Sequence, residues 1–317
     1  MVDELLDLRT CRICGAPVID NENTGETNGD VCARCTFSGS EYGGADSPPS
    51  APSAEPEFLP VDSSLPAEPL ISPDNPPWGP LTGLGTWLFS LAASIAIPLI
   101  PLLIVLFSKI SKGESPESAQ QWVSSASALL ILTIATLPAH LVILLFCWAV
   151  VTRLGKRPFF QTLGWSWAGR SVLYWLLVSV GVVVAINVVS NLLLRWLPER
   201  PSPFDEMLKS SQSVKFATVC LAVISAPLIE EVVYRGVLFS AIRKRVSAAV
   251  TVVAVTIIFV GVHVPQYIGA WRTIAGLTLL SLALTVVRAR TASVLPCFII
   301  HLLNNALSSV AILLDKG

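Results

Sequence analysis

Charge is what this sequence has least of. Asp, Glu, Lys and Arg make up only 14% of its 317 residues, against about a quarter in a soluble globular domain. With 53% hydrophobic residues and a mean hydropathy of +0.66, that shortage excludes an ordinary soluble fold. It predicts an all-α polytopic membrane protein. A positive surplus is missing too. The net charge of −1 leaves no basic face with which to grip phosphates, so no nucleic-acid partner is expected. Nor does a basic, then apolar, leader open the chain. Met1-Val2-Asp3-Glu4 starts acidic, so the N-terminus is expected in the cytoplasm, without a secretory signal. Internal repeats and an H-E-x-x-H zinc motif are also lacking.

Of seven cysteines, four crowd the N-terminus: Cys11 and Cys14, then Cys32 and Cys35. Two C-x2-C pairs with a short polar interval match the spacing of a four-thiolate zinc site. A reducing compartment disfavours the disulfide alternative, and so short a segment needs a staple to fold. Residues 1–36 are therefore expected to be a zinc-ribbon-like segment with structural zinc, and a protein partner is its expected use. Cys147, Cys220 and Cys297 lie in apolar runs and read as small hydrophobes. Residues 37–81 are rich in Pro, Ser and acidic side chains and predict a disordered linker.

Residues 82–317 hold seven apolar runs, each long enough to cross a bilayer as a helix. They cover about 82–107, 122–152, 171–194, 216–241, 246–264, 270–287 and 293–314. Lys and Arg are densest after the second, fourth and sixth runs, Arg288 and Arg290 among them. That side is expected to be cytoplasmic, with the N-terminus.

Three runs contain polar residues that packing does not require. The fourth carries Glu230, Glu231 and Arg235; the fifth ends in Phe259-x-x-x-His263; the seventh holds His301-x-x-x-Asn305. Ionisable groups at membrane depth are costly unless paired or facing a watered cavity. Glu231 and Arg235 are four apart and can pair on one helical face. Glu230 then points about 100° away, free for chemistry. Gly261 is expected to let helices approach closely, and His140 to be a hydrogen-bonded core residue. Counting places Glu230 and His301 near mid-membrane but His263 towards the end of its span. One free glutamate, two histidines and an asparagine suit peptide hydrolysis inside a bilayer.

These three motifs, in this order, resemble the CPBP family of intramembrane proteases, which includes CAAX proteases and bacteriocin-processing or self-immunity proteins. The context Tyr234-Arg235-Gly236-Val237-Leu238-Phe239 and Arg290-Thr291-Ala292-Ser293-Val294-Leu295-Pro296 agrees. The likeness spans about residues 150–312. It implies an endopeptidase acting on a peptide or membrane-anchored protein. Glu230 and His263 would activate a water, His301 and Asn305 would stabilise the oxyanion, and Arg235 would hold Glu231. The family is also described as zinc-dependent, so a catalytic metal stays open beside a metal-free glutamate mechanism. Two other readings stand beside these: a non-catalytic scaffold or self-immunity protein with the same fold, and a proton-coupled transporter, which the missing repeat disfavours.

Overall fold

The computed structural model describes residues 72–192 and 194–314. The four-cysteine segment and the linker up to residue 71 lie outside the described residues. Among those described there is no β-strand, only two isolated bridges. Six helices are long and apolar enough to cross a membrane, and a bent pair makes a seventh. The protein is an integral membrane protein.

The first long helix, α1 (Pro80–Ser111), starts on a proline, whose fixed φ suits the first turn. The predicted second run divides. A short α2 (Pro116–Val123) is capped by Ser115, and α3 (Ala126–Thr152) restarts on Ser125, whose hydroxyl accepts from the Ala128 N–H. The aromatic stretch after it forms α4 (Phe159–Leu163). This helix stops at Gly164, where φ is +81° and a Cβ would stand 2.6 Å from the Ala292 carbonyl oxygen. Only glycine fits that position. Next come α5 (Val172–Leu192) and the short α6 (Pro203–Ser210), which opens on a reciprocal Ser202–Asp205 capping box.

The fourth run is not one straight helix. It folds as α7 (Gln212–Ile224) and α8 (Ala226–Arg243), bent by 41°. Pro227 has no N–H for the carbonyl four residues back, and the helix breaks there. Within α8, residues Glu231–Leu238 widen into a π-helix, a form frequent at functional sites. After α8 come α9 (Ala248–Tyr267), α10 (Trp271–Thr291) and α11 (Leu295–Leu314).

The bundle is built around α8, in which every residue from Glu231 to Ala241 is buried. Small residues let its neighbours close in. A Cβ on Gly83 of α1 would sit 2.2 Å from the Ala241 side chain, and one on Gly236 would sit 2.5 Å from Leu163. Gly261, expected to play that part, does not: a Cβ there would meet nothing within 4 Å. The outer faces of the long helices are apolar and exposed, with Ile104 at 64% and Ile257 at 65%. Such surface belongs against lipid tails.

Two further expectations need correction. Arg288 lies inside α10 and is fully buried, not in a loop after it. The end of the expected linker is tied to the bundle. Arg288 donates to the Pro73 carbonyl and the Asp74 carboxylate, Arg153 to the Pro77 carbonyl, and the Trp78 indole to the Val237 carbonyl. Composition misses this because each bond reaches across a long stretch of chain.

Candidate active site

Burying α8 on all sides forces its polar residues to find partners within the protein, because lipid and apolar side chains offer none. Glu231 and Arg235 are both fully buried and pair at 2.9 Å, as their four-residue spacing requires. The rest of the guanidinium is spoken for. It donates to the Ser281 hydroxyl at 2.9 Å, to the Ser281 carbonyl at 3.2 Å and to the Thr285 hydroxyl at 3.4 Å, all on α10. Its flat face lies 4.7 Å from the Phe259 ring centroid, a favourable contact for a desolvated cation.

The same Glu231 oxygen accepts from His301 Nδ1 at 2.8 Å. A carboxylate there fixes the proton on Nδ1 and turns the other nitrogen outward. His301 Nε2 then lies 3.7 Å from Glu230 Oε2. That gap is too long for a direct hydrogen bond and short enough for one water to bond both. Glu230 keeps a quarter of its side chain exposed, whereas Glu231 has none. The adjacent glutamates therefore differ in kind: one is locked, the other open to a cavity.

That cavity, of about 560 Å³, is lined by Glu230, His263, His301 and Asn305 together with apolar residues of α1 and α3. His263 gives its Nδ1 proton to the Phe259 carbonyl at 2.7 Å, since a carbonyl can only accept. Its Nε2 has no protein partner among the described residues. Phe259 is the hub beneath the site, with the Tyr234 ring centroid at 5.0 Å, His263 at 4.6 Å and His301 at 6.3 Å. Asn305 donates one amide proton to the Ala222 carbonyl at 3.0 Å. The structure thus brings together every intramembrane residue singled out from sequence. The offset of His263 disappears because α9 continues through Pro265 to Tyr267, and because Glu230 lies only one turn past the break that starts α8.

Residues 212–307 match the family model of type II CAAX prenyl endopeptidases, Rce1-like. That match covers under a third of the chain. No curated protein and no solved structure matches the chain. The matched span comprises α7 to α10 and most of α11, narrower than the sequence likeness suggested. The likeness supports an intramembrane endopeptidase activity in general terms. The two glutamates, Arg235, His263, His301 and Asn305 all fall inside the matched span, while α1, α3 and α5 lie outside.

One cavity residue outside the matched span escaped the sequence. His140 of α3 is hydrogen-bonded as expected, to Ser225 at the α7–α8 break 2.9 Å away, but it also lines the same cavity. The only available signal was a polar residue in an apolar run, and a core histidine gives that signal too.

As for a metal, no three His, Cys, Asp or Glu side chains among the described residues group closely enough to hold an ion. Two of the four candidate imidazole nitrogens, the Nδ1 atoms of His263 and His301, are taken by Phe259 and Glu231. The side chains as arranged do not form a metal-ligand set.

Proposed function

We propose that the protein hydrolyses a peptide bond within the membrane, with Glu230 as general base. The observation that carries this is the pair Glu230 Oε2 and His301 Nε2, 3.7 Å apart on the wall of the cavity. A water bonded to both gives its proton to Glu230 while its oxygen attacks the carbonyl carbon. The carbon–nitrogen bond then breaks, and the departing amine takes that proton. His263 Nε2 faces the same space and helps orient the water. Asn305 uses one amide proton on Ala222 and keeps the second for the developing oxyanion. His301 has its Nδ1 proton committed to Glu231, which turns Nε2 towards the water and Glu230. Arg235 pairs with Glu231 and keeps its helix face fixed.

The rest of the cavity wall, with Ile95, Leu99, Leu132 and Met207, suits an apolar ligand. A membrane-anchored or prenylated CAAX-type peptide fits that chemistry and the name of the matched family. Glu230→Gln keeps the size and removes the base, so cleavage should fall by at least two orders of magnitude with accumulation unchanged. Neo-terminus profiling of membranes holding wild type or Glu230→Gln would show both loss and substrate. Equal neo-termini in the two would exclude Glu230 as the base. Full biological activity in both Glu230→Gln and His301→Ala would support the scaffold reading instead.

A further inference from the structure

The chain has three histidines, and all three line one cavity. Two belong to the motifs discussed above. The third, His140, comes from α3, outside the matched span. A second cavity, of about 200 Å³, adjoins the first, and the two share Ser94, His140, Glu230, His263 and Gln266 as walls. His140 and Glu230 therefore stand together on the partition between a larger, mainly apolar chamber and a smaller one.

The orientation of His140 follows from Ser225. The Ser225 hydroxyl has a carbonyl to donate to, Leu221 O at 3.4 Å, which leaves its lone pair for a proton on His140 Nδ1 at 2.9 Å. His140 Nε2 is then the basic nitrogen, and it has no protein partner among the described residues. The same pattern holds at His263 and His301, where Nδ1 is anchored on an acceptor and Nε2 is presented to the site. Ser225 itself sits at the hinge that sets where α8, and hence Glu230, begins.

We propose that His140 is a further catalytic residue, one that carries the proton from Glu230 to the departing amine. The inference rests on the hydrolase reading given above. After attack, Glu230 holds the proton taken from water. It passes that proton to His140 Nε2, giving a transient imidazolium. The carbon–nitrogen bond breaks, its electron pair stays on nitrogen, and nitrogen takes the proton from His140. Glu230 and His140 end as they began, so no outside acid or base is consumed. Such a relay frees Glu230 from having to reach both faces of the scissile bond, and an amide nitrogen cannot leave unprotonated.

The test uses the full chain in detergent or liposomes with two probes: a farnesylated CAAX-type peptide, and an activated aryl ester of the same acyl part. An aryl ester leaves without a proton. His140→Asn keeps a donor for Ser225 and deletes Nε2. His140→Asn should lower kcat on the peptide ten- to a hundredfold, leave KM within about twofold, and spare the ester. Equal losses on both probes, or wild-type rates on the peptide, would overturn the relay. Ser225→Ala should show the same split more weakly, and it decides the matter if the His140 variant fails to accumulate. Glu230→Gln, by contrast, should lose both probes. Should Glu230→Gln cleave normally, or wild type cleave neither probe, the hydrolase reading itself falls and His140 with it. Should Glu230→Gln be dead while His140→Asn matches wild type, only the relay is lost.

Discussion

Two arginines are fully buried in this bundle, and they do different work. Arg235 and Arg288 each lie over a phenylalanine ring, at 4.7 Å and 4.9 Å, and each bonds a carboxylate, at 2.9 Å and 2.8 Å. They differ in what lies beyond the carboxylate. Glu231 is sealed at 0% exposure and shares its oxygen with His301, whose far nitrogen faces the cavity. Asp74 is 39% exposed, and the remaining bonds of Arg288 go to the carbonyls of Pro73 and Arg235. A buried cation in a membrane protein is thus weak evidence of chemistry by itself. What marks a site is a chain of bonds that ends on an open, titratable group.

The strongest way to break this comparison is to delete each guanidinium in turn. Arg235→Met leaves Glu231 buried without its cation, and removing one partner of a buried pair costs about 3–5 kcal/mol. The variant should accumulate poorly, and Arg235→Lys should not restore it, because an ammonium cannot reproduce bonds to Glu231, Ser281 and Thr285 together. Arg288→Met removes hydrogen bonds, but Asp74 is exposed enough to be hydrated, so the loss should be smaller, about 1–3 kcal/mol. Thermal unfolding in detergent gives the order, and cleavage per folded molecule gives the second reading. Arg288→Met should keep most of its cleavage and Arg235→Met almost none. If the two variants unfold alike and cleave alike, the division between a site arginine and an anchoring arginine is wrong.

The same two residues explain what the sequence made legible. Glu231 and Arg235 are four apart, so helical geometry alone predicts their contact, and Phe259–His263 and His301–Asn305 repeat that spacing. Membrane depth then supplied the rest: polar groups in apolar runs must converge or be satisfied. Arg288 was misread as a loop cation because its counter-ion is 214 residues away, and His140, hydrogen-bonded as expected, lines the cavity beside a partner 85 residues away. No periodicity reports a partner at that distance. The break at Pro227 was hidden by continuous hydropathy on either side of it. Gly261 failed for the opposite reason: glycine permits close approach, but only the neighbouring helix decides whether one occurs, and the close approaches fell at Gly83 and Gly236.

The smallest effect sharpens the contrast from outside the bundle. Lys109 and Glu114 form an ion pair at 3.0 Å where α1 ends, with both side chains partly exposed. The hydrogen bond from Lys109 holds the Glu114 carboxyl below its usual range. A depressed carboxylate pKa contributes stability that is present above the unfolded value and lost as pH falls through the folded one. The loop between α1 and α2 should therefore keep constant amide-exchange protection from neutral pH down to the ordinary carboxylate range. It should loosen only below that range. Lys109→Met should abolish this acid step while leaving accumulation and cleavage unchanged, since an exposed pair contributes little overall. A loss of cleavage in Lys109→Met would mean that this end of α1 is coupled to the cavity through Ser94 and Ile95, and that exposure is a poor guide to which ion pairs matter here.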